Sequence, residues 1–142
     1  DCPIIDPFLV DHAINTFLFN NISYLNNARH GLPDGMGCQI FTTEALAKSY
    51  DLTSDSKDRE HVTFQFWDGR FKCNHLKINW ENQFPIKNVR ITVDYPEDLK
   101  VLEILSSKID LIEASLSEIC ACYLENELHL INGHFDSKAG WK

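Results

Sequence analysis

The stretch Val89-Arg90-Ile91-Thr92-Val93 runs directly into Asp94-Tyr95-Pro96-Glu97-Asp98, and this junction constrains the fold more than any other part of the chain. The β-branched residues predict a strand over 87–93. Pro96 suits the first position of a helix, where its missing N–H costs nothing. Glu97 and Asp98 then sit in the first turn, at the positive end of the helix dipole. A strand feeding a helix is the repeating unit of α/β folds, whose ligands bind beyond the carboxyl ends of the strands. Asp94 stands at that junction, where its carboxylate either meets a ligand or helps cap the helix.

The rest of the chain alternates in the same way. Asp6-Pro7 opens a helix over 7–19, with Leu9, Val10, Ala13, Ile14, Phe17 and Leu18 at helical spacing, and Asn20-Asn21 ends it. A short strand is expected at 22–25, a loop at 26–37 and a second strand at 38–42. Thr43 is expected to cap a short helix that carries Ala45, Leu46 and Tyr50. Another short helix is expected over 56–66 and a strand over 71–79. Beyond Pro96, Leu99, Leu102, Leu105 and Ile109, supported by Val101 and Ile104, give the helix its apolar face. Ser115-Leu116-Ser117-Glu118 is a capping box for a last helix running to about Glu125, and 128–135 is expected to be an extended tail. The class is α/β with a mixed, mainly parallel sheet. The strand count is modest, as expected if 1–142 is the C-terminal portion of a single larger domain.

At 142 residues and a net charge of −8, the chain suits one domain and argues against nucleic acid or an anionic membrane as main partner. It does not argue against a phosphate-bearing small molecule, because a bound divalent cation neutralises phosphate locally. No apolar run approaches the roughly 20 residues needed to cross a bilayer. The five cysteines are odd in number and scattered, which reads as free thiols and a cytoplasmic protein. The aromatic group Phe64, Phe66, Trp67 and Phe71 lacks the interleaved run of basic residues that a nucleic-acid platform needs, so core or subunit contact is expected.

Asp1-Cys2-Pro3 is a second Asp-x-Pro turn leading into a helix. Two carboxylates remote in sequence, at neighbouring strand ends, can hold one Mg²⁺, which usually takes one or two carboxylates plus phosphate oxygens. Such a metal stabilises in-line attack at phosphorus.

Five segments in order carry a resemblance. They are Asp1-Cys-Pro-Ile-Ile-Asp-Pro, Leu32-Pro-Asp-Gly-Met, Arg59-Glu-His-Val-Thr63, Arg90-Ile-Thr-Val-Asp-Tyr-Pro-Glu-Asp-Leu99 and Leu130-Ile-Asn-Gly-His134. The order resembles the spore-coat-polysaccharide type of cytidylyltransferase, a relative of the CMP-Kdo and CMP-acylneuraminate synthetases. The resemblance implies a Rossmann-like nucleotidyltransferase fold and transfer of CMP from CTP to a sugar acid with release of pyrophosphate, in cell-surface polysaccharide biosynthesis. It also implies Mg²⁺ as cofactor and a homodimer. Asp1 and Asp94 match the metal-binding aspartates, and Asp34, Gly35, Gln39, Arg59, Glu60 and His61 fall on the substrate side. Arg59 would there hold a sugar carboxylate by a bidentate pair; otherwise Arg59 and Glu60 form solvated or subunit-interface ion pairs.

The chain departs from that family in three ways. The family's Gly-rich, basic nucleotide loop precedes the point matched by Asp1, so the isolated chain is expected to be inactive. Met36-Gly37-Cys38-Gln39 stands where x-Asp-Val-Glu is common, so two carboxylates are missing. Tyr95 replaces the usual Thr. The alternative reading is a non-catalytic truncated fragment, or a sugar- or nucleotide-binding module of the same fold. His134 belongs to a family motif but acquires no role.

Overall fold

The structure, a computed structural model, describes residues 1–28, 31–80 and 89–135. Asp6 accepts the Phe8 N–H at 2.8 Å and Pro7 takes the first helical position, so α1 (Pro7–Asn20) begins where the sequence places it. Asn21 ends α1 in the left-handed conformation, with φ 48°. Leu9 and Ala13 are buried from this helix, whereas Phe8, Leu18 and Phe19 face solvent.

Three short strands make one mixed sheet in the order β2-β1-β3. They are β1 (Tyr24–Asn26), β2 (Gln39–Phe41) and β3 (His75–Lys77). β1 pairs antiparallel with β2, Tyr24 opposite Phe41 and Asn26 opposite Gln39. It pairs parallel with β3, Tyr24 opposite His75 and Asn26 opposite Lys77. α1 packs against β1 and β2. The α/β class with a mixed sheet is therefore as the sequence predicts.

Four details differ. The helix after β2, α2 (Thr43–Asp51), is capped by Thr42 rather than Thr43, its hydroxyl accepting the Ala45 N–H at 3.1 Å. The single helix expected over 56–66 is two pieces, α3 (Ser56–Glu60) and α4 (Phe64–Trp67). His61, at ψ 72°, leaves the helical region, and the β-branched pair Val62-Thr63 follows it. The break lets Phe66 stack on Tyr24, ring centroids 4.6 Å apart. Of the strand expected over 87–93, residues 87–88 lie outside the described residues, and 89–93 hold no strand but a single parallel bridge between Arg90 and Asp34. Among the described residues, that segment is flanked by isolated residues rather than by strands. Asp34 donates to Val89 O and accepts from the Ile91 N–H, and Asp1 O accepts from the Val93 N–H.

The fourth difference is at the carboxyl end. α5 (Pro96–Ser106) and α6 (Leu116–Glu125) form as expected, and the Ser115–Glu118 capping box is intact. The expected extended tail is instead a turn of helix, α7 (His129–Asn132), reached through Glu127 at φ 52°. Its last residue, Asn132, is fully buried and hydrogen-bonded, which an extended strand leaving the surface would not achieve. On α5, Leu99 is half exposed while Val101 and Leu105 are fully buried. The core-facing position expected for Leu99 belongs to Asp98.

The main core joins Leu9, Met36, Ile91, Val101, Leu105, Ile119 and Tyr123. A second, smaller core gathers Tyr24, Ala45 and Phe66, with Phe41, Trp67, Phe71 and Cys73 packed on it. The aromatic group expected to be core or contact surface is thus core at Phe66.

Candidate functional site

Arg90 organises the centre of the site. Its side chain is 6% exposed, and a lone buried guanidinium would cost several kcal/mol, so it has to be met by carboxylates. Nε and Nη2 donate to the two oxygens of Asp98 at 2.8 Å each, a planar fork. Nη1 donates to Asp34 Oδ2 and Nη2 to Asp94 Oδ2, both at 2.8 Å. One cation therefore faces three carboxylates and leaves two negative charges in excess.

Asp98 is the anchor of this group. It also accepts from the N–H groups of Asp94 and Tyr95 at 3.0 Å and from Asn132 Nδ2 at 2.9 Å. Burial pushes its carboxyl upward, but Arg90, the two amides and Asn132 together hold it at about 2. Bonding to Asp98 above all pushes Arg90 up in turn, so the pair is ionised at any ordinary pH. Asn132 completes the ring by donating to Arg90 O at 3.0 Å and accepting from Tyr123 Oη at 2.7 Å. The Ile-Asn-x-His segment thus contributes its Asn to the framework.

The backbone delivers the other members. Asp34 and Gly35 form the tight turn beside Arg90. Gly35 sits at φ +102°, and a Cβ there would stand 2.9 Å from the main chain of Ile91 and Thr92, so only glycine brings Asp34 this close. Asp1 and Val93 exchange two main-chain hydrogen bonds, at 2.9 and 2.8 Å, and Thr92 Oγ1 donates to Asp1 O at 2.8 Å. The Asp1 main-chain nitrogen lies 3.4 Å from Asp94 Oδ1. The two acidic turns singled out from the sequence are therefore neighbours, with the Asp94 side chain half exposed and that of Asp1 fully so. Tyr95 stacks on Phe135 at 4.0 Å between centroids, and both rings flank the Arg90 guanidinium.

The remaining candidates form a different neighbourhood. Gln39 Oε1 accepts from Tyr24 Oη at 2.5 Å and from Trp67 Nε1 at 2.8 Å, at the edge of the smaller core. Arg59 lies exposed on α3; its guanidinium stacks over the Tyr50 ring at 3.3 Å and donates to Thr53 O at 2.8 Å. Glu60 is exposed and His61 half-buried at the α3 terminus. Gly37, where a carboxylate is usual in the family it resembles, has its missing Cβ position filled: a Cβ would lie 2.4 Å from that of Ala28.

Arg90, Asp98 and Asn132 lie in the family-like segments, but nothing in the sequence gives them a shared role. An Arg inside an apolar run is itself the signal, since it demands carboxylate partners, and Asp94 and Asp98 follow at four and eight residues.

Among the described residues no helix is long and apolar enough to cross a membrane, and no group of three or more His, Cys, Asp or Glu could hold a metal. No protein-family model matches the chain. A cytidylyltransferase from Leptospira borgpetersenii serovar Hardjo-bovis matches in structure with a TM-score of 0.77 and 25% identity, over 96% of this chain and 58% of that one. An uncharacterized protein of Methanocaldococcus jannaschii is 25% identical over 119 residues, 84% of this chain and 48% of its own length. The chain thus spans about half the length of the relative it matches in sequence. The structural likeness supports kinship with cytidylyltransferases.

Proposed function

We propose that this chain forms part of a nucleotidyltransferase that moves CMP from CTP to a sugar acid with release of pyrophosphate, in the assembly of a cell-surface polysaccharide. The observation that carries the reading is the meeting of the Asp1 main chain with the Asp94 carboxylate beside a buried Arg90, in a fold shared with a cytidylyltransferase. The donor set fits magnesium: two accessible carboxylates, oxygen ligands only, and an excess of negative charge around Arg90. Asp1 and Asp94 would hold Mg²⁺, which when bound would neutralise charge on the triphosphate. The chain's own contribution is positioning. Arg90 ties Asp94 Oδ2, leaving Oδ1 toward Asp1, and Asp98 fixes both the Arg90 fork and the main chain of Asp94. A sugar hydroxyl is the nucleophile, so no covalent enzyme intermediate is needed.

In this reading the residues that cradle the triphosphate lie in the part of the relatives' length that this chain does not span. The test is pyrophosphate release from CTP with Mg²⁺ and a panel of eight- and nine-carbon sugar acids, using the protein at its full length. Release with at least one acid is expected, and silence across the panel would sink the activity. Asp94→Asn keeps the shape but loses the charge, and turnover should fall by about 100-fold or more. Wild-type rates in that variant would remove Asp94 from the site.

A further inference from the structure

The edges of the Arg90 guanidinium are taken by carboxylates: Asp98, Asp34 and Asp94 accept four hydrogen bonds from it. The faces of a guanidinium carry no N–H, so apolar groups can lie against it without stripping a donor of its partner. Two rings border it here. Tyr95 and Phe135 are stacked with centroids 4.0 Å apart and planes 9° from parallel, and Arg90 Cζ lies 5.6 Å from one centroid and 5.7 Å from the other. Neither ring is the nearer, so the guanidinium borders the stack as a unit. The Arg90 side chain is accordingly 6% exposed, although that of Asp94 beside it is 50% exposed and that of Asp34 32%.

The buried network delivers both rings. Tyr95 stands just before α5, and its N–H donates to Asp98 Oδ2 at 3.0 Å. Phe135 follows α7, whose Asn132 donates to Asp98 Oδ1 and to Arg90 O. The Phe135 N–H donates to Asn132 O at 3.3 Å. Gly133 makes this return tight, since a Cβ there would lie 2.5 Å from His129 O. Asp98 therefore anchors the stems of both rings, and the stack closes the circuit beside Arg90. A Thr at 95, usual in the family this chain resembles, would offer a hydroxyl to the helix start but no ring to Phe135.

An exposed Arg–Asp pair is held weakly, because water competes for both partners. At Asp94 water reaches only the carboxylate, because the cation it pairs with is enclosed. We propose that Tyr95 and Phe135 are positioning residues for Asp94: their stack keeps water from Arg90, so that Asp94 Oδ2 stays on Nη2 and Oδ1 alone is offered to a metal. Groups behind a metal ligand act in this way, by fixing its orientation before the metal arrives. Both rings act through Arg90, so they set metal affinity rather than the chemical step. That Oδ1 meets Mg²⁺ rests on the proposed transfer reaction; the enclosure of Arg90 by the stack does not.

The test uses the protein at its full length and the variants Tyr95→Thr, Phe135→Ala and Phe135→Tyr. Two quantities are measured: solvent exchange of the Arg90 Nε–H by nuclear magnetic resonance, and Mn²⁺ affinity by electron paramagnetic resonance, with Mn²⁺ standing in for Mg²⁺. Tyr95→Thr and Phe135→Ala should each speed the exchange by about tenfold or more and weaken Mn²⁺ binding by about tenfold. Phe135→Tyr keeps the ring and should match the wild type in both. Tyr95→Thr keeps a capping hydroxyl at the start of α5, so it carries the test even if Phe135→Ala loosens α7. Exchange at the wild-type rate in Tyr95→Thr would overturn the enclosure. Faster exchange with unchanged Mn²⁺ affinity would overturn the positioning role, and so would equal losses in Phe135→Tyr. Absent pyrophosphate release with both patterns intact would sink only the transfer reaction; normal release with Mn²⁺ affinity indifferent to residues 95 and 135 would sink only this inference.

Discussion

The two polar centres of this molecule are built on opposite plans. Around Arg90, a buried cation is surrounded by three carboxylates and an amide, all of them bonded, with the charge surplus opening outward at Asp94. Around Gln39, an aromatic core of Tyr24, Phe66 and Trp67 holds one neutral amide by its oxygen. The first region is rigid because any missing partner would leave a buried charge uncompensated. The second tolerates exchange, because its polar group is neutral and its surroundings are mostly rings.

The comparison breaks most easily at Arg90. Arg90→Met leaves the fully buried Asp98 without its cation, and stability should fall by about 3–5 kcal/mol in urea denaturation, enough to unfold a marginal domain. A loss under about 1 kcal/mol would mean that the carboxylates rearrange freely and that the first region is not rigid. Acid should discriminate between the regions. Asp98 takes up its proton at about 2 when folded, against an ordinary value of 3.8 when unfolded, so its stabilising effect is complete above about pH 4 and fades as pH falls toward 2. The urea midpoint of the wild type should therefore drop across that window, and the drop should shrink in Asp98→Asn, whatever that variant's starting stability. The smallest effect is expected at Tyr24→Phe, which removes one hydrogen bond to Gln39 and keeps the ring on Phe66. About 1 kcal/mol should be lost, with no change in the acid profile between pH 4 and 2.

How much of this was legible differs between the regions. Asp94 and its helix could be read locally, because Pro96 and the first-turn acids announce a helix start wherever the chain goes. The role of Asp98 could not, since first-turn carboxylates are ordinary, and only Arg90, folded back against it, makes this one the anchor. The strand expected over 87–93 misled for a related reason: extended conformation is written in β-branched residues, but a strand also needs a partner strand, and among the described residues the partners of 89–93 are Asp34 and Asp1. Leu99 and the terminal tail failed on the same ground. Helical spacing fits several faces equally well, and the choice fell to the face that seats Asp98 and receives Asn132.

The sequence alone determined where helices begin, through Asp6-Pro7, Pro96 and Ser115–Glu118, and that the class is α/β, because capping and hydrophobic period act within a few residues. Tertiary structure alone decided that Asp1, Asp34, Asp94 and Asp98 gather at Arg90, and that Gln39 accepts from both Tyr24 and Trp67. Those outcomes depend on pairing between groups up to 93 residues apart, and no local rule can encode the demand of a buried charge or an indole N–H for a distant partner.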